Sequence, residues 1–81
     1  MRTRQQPLGN RNIVGAKVQE RRRELRLKQR DLLAYLNKNG VELNASGLSK
    51  LEGQFRSVTD FELRCLARAL DVSAAWLLDL E

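Results

Sequence analysis

An all-α domain of five short helices is the fold class that this sequence predicts, on three observations. Apolar residues recur at intervals of three and four from Ile13 onward, and no stretch alternates as a strand would. Helix-starting residues stand in front of the later stretches at Asn44, Thr59 and Ser73. Breakers separate the stretches, Asn39-Gly40 being the strongest. With 81 residues the chain has room for one modest core and not for two.

The elements follow in order. Residues 1–12 (MRTRQQPLGNRN) contain Pro7 and Gly9 and almost nothing apolar, and read as a flexible basic arm ahead of a folded unit over 13–81. Val14, Val18, Arg22 and Leu25 then share one helical face, which Leu27 closes. The arginine on that stripe either snorkels at its edge or is buried beside a carboxylate. A second helix is expected from Lys28 or Gln29 to Leu36 or Asn37, with Leu32, Leu33 and Leu36 inward. Asn37-Lys-Asn-Gly40 caps and turns it, and Val41-Glu-Leu43 leads to Asn44, the N-cap of a third helix that Gly53 and Gln54 end. Thr59-Asp-Phe-Glu62 has the spacing of a capping box for a fourth helix, which buries Leu63, Leu66, Ala67 and Leu70. Ser73 caps a short fifth helix with Trp76, Leu77 and Leu80, Trp76 being its core anchor.

Composition narrows the function. No apolar run approaches the ~18 residues of a membrane span, and no signal-peptide pattern opens the chain. Cys65 is the only cysteine, so no internal disulfide can form, which suits a reducing cytoplasm; it reads as a small packing residue rather than a redox sensor. With no histidine and one cysteine, neither a metal site of imidazole and thiolate nor a histidine-based triad is available. The carboxylates are scattered, so neither an enzyme nor a cofactor is expected. The net charge of +5 is uneven: residues 1–56 hold 13 Lys/Arg against 5 Asp/Glu, and residues 57–81 hold 2 against 5. A basic front half suits a polyanion, though many small domains are basic for solubility alone.

The most informative stretch is Asn44 to Arg56 (NASGLSKLEGQFR). Its large apolar residues Leu48 and Leu51 lie three apart on one face, and the rest of the helix is small and polar with one cation, Lys50. By itself this reads best as a solvated surface helix. The same shape also fits the major groove of DNA, roughly 12 Å wide, which displays base-edge donors and acceptors.

Three motifs in order change the balance: Gln29-Arg-Asp-Leu32, Leu48-Ser-Lys-Leu-Glu52, and Leu66-Ala-Arg-Ala-Leu-Asp-Val-Ser-Ala-Ala-Trp-Leu-Leu78. With them the chain resembles the Cro/C1-type helix-turn-helix proteins, or XRE family, of phage repressors and small bacterial regulators, over about Val14 to Leu78. The resemblance implies a compact five-helix, lambda-repressor-like domain in which helices two and three form the DNA-reading unit. It implies that Gln29 contacts the DNA backbone and a neighbouring base. Asn44, Ala45, Ser46 and Gly47 would supply base contacts from the first turn of helix three, and Ser49 and Lys50 would face the groove one turn on. It also implies a structural ion pair between Arg22 and Glu52. The chain departs from the family pattern at Lys28, which replaces a Ser or Thr cap, and at Leu33, which replaces an alanine. The link from Leu36 to Asn44 is about five residues longer than the tight turn of the motif, which bears on the tilt of helix three.

Ser46, Ser49 and Asn44 can bond phosphates or base edges, and Lys50 can reach guanine O6/N7 or a phosphate. Gln54, Arg56 and Ser57, just past the helix, are expected on the backbone. Arg21, Arg23 and Arg26 read as a solvated face, and Arg2, Arg4 and Arg11 as either a minor-groove arm or disorder. One helix reads too few base pairs for a genome, so a homodimer on half-sites is expected, with Leu78, Leu80 and the outer side of helix five as candidate surface. The expectation is a double-stranded DNA-binding transcriptional regulator, a repressor, in the bacterial cytoplasm and nucleoid, with no membrane contact. The competing expectation is an antitoxin-like or regulatory module whose basic face meets an acidic partner protein.

Overall fold

The computed structural model describes residues 11–81; most of the expected basic arm, with Arg2 and Arg4, lies outside them. Among the described residues five helices run in order: α1 Gly15–Glu24, α2 Gln29–Lys38, α3 Ala45–Glu52, α4 Asp60–Leu70 and α5 Ala74–Leu77. The described residues contain no strand, and none of their helices is long and apolar enough to cross a membrane.

The core is the inward stripe of each helix. Val18, Leu32, Leu36, Leu48, Leu51, Leu66, Leu70 and Leu77 are all at most 1% exposed. Leu33 and Leu63 pack only partly buried at its edge. Val41, from the α2–α3 link, adds to the core, so the longer link is anchored at its middle. α1 packs on α3 and α4, α2 on α3 and α4, and α5 on α4. The approach of α1 to α3 depends on Gly15, where a Cβ would fall on the carbonyl oxygen of Leu51.

Local chemistry sets each start. Asn44 accepts the Gly47 amide at 2.7 Å, and Ser73 accepts the Trp76 amide at 3.0 Å. Thr59 and Glu62 form a complete capping box, Glu62 N donating to Thr59 Oγ1 at 3.1 Å and Thr59 N to Glu62 Oε1 at 3.0 Å. Lys28 has no acceptor to offer α2. Asp31 supplies the other half of the motif, its carboxylate accepting the Lys28 amide at 2.8 Å. Asn12, expected in the arm, is tied down instead: its Oδ1 accepts the Gly15 amide at 2.8 Å, and its Nδ2 donates to Leu51 O at 3.2 Å and Arg56 O at 2.7 Å.

All five helices end in one way. A residue with φ between +55° and +90° follows each (Arg26, Gly40, Gln54, Asp71 and Asp79). Its amide bonds the carbonyl three residues back, and the next residue's amide reaches five back: Leu27 to Arg22, Val41 to Leu36, Phe55 to Lys50, Val72 to Ala67, Leu80 to Ala75. This is the Schellman motif, with an apolar residue after every left-handed one. Glycine fills the left-handed position only at Gly40. At the end of α3 Gln54 takes it, and Gly53, at φ −81°, is small because the Phe55 ring lies over it.

Three expectations shift as a result. The turn at Arg26 leaves Leu25 38% exposed rather than in the stripe. α5 is a single turn that ends before Leu80, which is 75% exposed. Of the helix-one cations, Arg21 is not simply solvated, since its Nε caps α4 by donating to Leu70 O at 2.9 Å. Lys17, which no sequence pattern singles out, is 7% exposed, 4.6 Å from the Trp76 ring centroid and 3.0 Å from Asp79 Oδ1, and so fastens the chain after α5 to α1.

Two substitutions test these constraints. Arg26→Gly relieves a left-handed conformation costly to a side chain and is expected to raise stability by about 0.5 kcal/mol in urea unfolding, part of the gain being offset by a freer unfolded chain. Gly15→Ala is expected to lower it by about 3 kcal/mol, because the new methyl pushes α1 off α3.

Candidate nucleic-acid interface

Helix α3 divides cleanly. Leu48 and Leu51 fix one face in the core, while Ala45, Ser46, Ser49 and Lys50 are exposed on the other. The outer face thus carries a methyl, two hydroxyls and an ammonium, with no bulky side chain.

A buried network holds this face against α2. Arg22 of α1 meets Glu52 in a two-pronged pair, Nε to Oε2 at 2.7 Å and NH2 to Oε1 at 3.0 Å. The remaining guanidinium nitrogen, NH1, donates to the Leu27 carbonyl at 2.9 Å, in the turn that leads to α2. Gln29, the first residue of α2, donates its Nε2 to Glu52 Oε1 at 3.0 Å, and its Oε1 accepts the Ser49 hydroxyl at 3.5 Å. Glu52 is 2% exposed and Arg22 8%. Burying such a pair is tolerated where further polar groups meet its donors and acceptors, as the Leu27 carbonyl and Gln29 do here. Arg22 therefore does not snorkel.

The other proposed contact residues separate into groups. Asn44 is exposed, with its Oδ1 committed to the cap. Gly47 turns toward the link: a Cβ there would come within 2.8 Å of Leu43 Cδ1, so its smallness makes room for that leucine. Leu43 is held in turn by its amide, which donates to Asn37 Oδ1 at 3.0 Å. Gln54 is only 5% exposed, because its left-handed backbone turns it beneath the helix end; it does not present the surface contact expected of it. Arg56 is half-buried and faces Glu62 with both ends of its guanidinium, at 3.3 and 3.2 Å, so a phosphate there has to compete with a carboxylate. Ser57 and Arg11 are exposed.

Two features have little signature in the sequence. Lys28 and Arg30 are exposed on either side of Gln29 and add positive charge at the start of α2; only their adjacency to that glutamine marks them. Asn12 clasps both the end of α3 and the segment after it at Arg56, a bridge over 39 and 44 residues that no local pattern discloses.

The arrangement is a rigid polar helix face whose small donors and acceptors can approach a flat or grooved polyanion closely. Its rigidity should fail with the network. Glu52→Ala is expected to cost about 3–5 kcal/mol by stranding Arg22, whereas Arg22→Met with Glu52→Leu recovers most of that loss in thermal unfolding.

In comparison with known proteins, the chain matches no family model and no curated protein.

Proposed function

We propose that this chain is a sequence-specific, double-stranded DNA-binding transcriptional regulator of the Cro/C1 helix-turn-helix kind, acting as a repressor. In this reading α2 and α3 are the helix-turn-helix, α3 enters the major groove, and Gln29 at the head of α2 meets the backbone. The observation that carries the reading is the outer face of α3: slim, polar, cationic at Lys50, and clamped to α2 through Ser49, Gln29 and Glu52. A helix meant only for solvent has no need of such a clamp, whereas a reading head must hold its register to a fraction of a base step.

Within that face Ser46, Ser49, Lys50 and the methyl of Ala45 are the base-side candidates, and Gln29, Lys28 and Arg30 the phosphate-side ones. Asn44 serves first as cap. Gln54 and Arg56 act indirectly, the one buried at the helix end and the other paired with Glu62. A homodimer on two half-sites, working in the bacterial cytoplasm on the nucleoid, completes the proposal.

Selection from a randomised duplex library at low and moderate salt tests it. The expected outcome is one palindromic motif whose affinity falls steeply with salt. Lys50→Ala and Ser46→Ala should weaken specific binding by about 1 kcal/mol or more while changing non-specific binding less. Recovery of no motif, with only salt-sensitive binding, overturns the reading and favours the basic face as a site for an acidic partner protein.

A further inference from the structure

Away from α3, a cavity of about 210 Å³ opens between the C-terminal half of α2 and helix α4. Its buried lining is Val41 and Cys65, each 8% exposed, and its outer lining includes the rings of Tyr35 and Phe61. Arg64 and Arg68, both exposed, border it one helical turn apart on α4. They are the only two cations in residues 57–81, a stretch that carries five carboxylates. Even so, neither guanidinium meets a carboxylate among the described residues; Arg64 lies 5.8 Å from the Phe61 ring centroid instead. Two like charges at that helical spacing repel one another, a cost that an anion between them removes. Burial raises the Cys65 thiol above its ordinary pKa, and Arg68 and Arg64 pull against that shift. The thiol therefore stays neutral, and the field of both arginines reaches the cavity lining.

These features select an occupant by size and by charge. An apolar cavity of roughly 150 Å³ holds a benzene ring, and a drug-sized ligand takes roughly 300–1,000 Å³. The space here holds one ring and little more. It is too small for the row of anchors by which a partner helix docks in a groove. At its mouth, two guanidiniums match the two oxygens and single charge of a carboxylate. Residues 1–10 contain two arginines and no acid, and the Glu81 side chain is engaged by Ser73, so neither segment supplies that group.

We infer that this cavity is a binding site for a small apolar carboxylate of the arylacetate class. The ring rests on Val41 and Cys65 between Tyr35 and Phe61, and the carboxylate takes Arg64 and Arg68. Bound there, the ligand joins the end of α2 to α4 and neutralises both cations. The site lies at the opposite end of α2 from Gln29 and leaves the outer face of α3 uncovered. It does not rest on the DNA reading and is tested without DNA.

Sodium phenylacetate is the probe, titrated into the isotope-labelled full chain at constant ionic strength and followed by amide chemical shifts. Saturable binding is expected with a Kd on the order of 1 mM, the ordinary efficiency of a ligand this small. The shifts should gather on Tyr35, Val41, Phe61 and Cys65 and spare α3. Phenylacetamide, which keeps the ring and loses the charge, should bind about tenfold more weakly, as should acetate, which keeps the charge and loses the ring. Arg64→Gln with Arg68→Gln should weaken phenylacetate by about tenfold as well. Both positions are exposed, and unchanged amide shifts elsewhere check that the variant is folded. Binding that does not saturate by about 10 mM, equal affinity for acid and amide, an arginine variant that binds like the wild type, or shifts centred elsewhere would each overturn the inference. A capped acidic peptide with one phenylalanine that binds more tightly than phenylacetate also overturns it, and assigns the cavity to a protein partner.

Discussion

The carboxylate of Glu52 is the point on which the rest of the molecule depends. It lies at the end of α3, 2% exposed, and accepts from Arg22 of α1 twice and from Gln29 of α2 once. Three helices are thereby indexed to one atom group. A hydrophobic contact is non-directional and would let α3 rotate or slide against α2 by small amounts. A two-pronged arginine–carboxylate pair has one geometry. The network stabilises less than its length suggests, since burying both charges costs much of what their attraction returns. Its contribution is to position, and what it positions is the polar face of α3.

The same economy marks the helix ends. The helices of this domain are short, four to eleven residues, so each must stop and send the chain back over the core. Five Schellman turns do this, each ending on an apolar residue that can be tucked under the turn. Four of the left-handed positions are held by residues other than glycine; Asp71 and Asp79 tolerate the conformation, while at Arg26 and Gln54 the backbone accepts a local cost where tertiary packing demands the turn. At α3 and α5 the trailing residues, Phe55 and Leu80, remain outside.

Charge is arranged by pairing as much as by excess. Of the basic front half, Arg22, Lys17 and Arg56 are all engaged by carboxylates, and Arg21 caps a helix. Among the described residues, Lys28 and Arg30 beside Gln29 and Lys50 on α3 remain exposed. A long-range field draws on the whole excess, whereas close contact draws on exposed cations such as these.

The sequence by itself determined the five helices, their caps at Asn44, Thr59 and Ser73, and most of the leucine core. These follow from period and from side chains that bond their own neighbours, which are local matters. Arg22 on an apolar stripe already called for a partner, and the Leu48/Leu51 spacing already separated the inner face of α3 from the outer. Only the tertiary structure decided which polar residues of the candidate face are outward. Gln54 and Arg56 sit beside Lys50 in sequence, yet a left-handed turn buries the first and Glu62 engages the second. Gly47 proved to be space for Leu43, and Asn12 a clasp on α3 rather than part of an arm. Lys17 under Trp76 and the cavity between α2 and α4 likewise join residues distant in the chain. Such contacts depend on how helices cross and where turns point. No periodicity carries that information, because it arises only when the core fixes every helix at once.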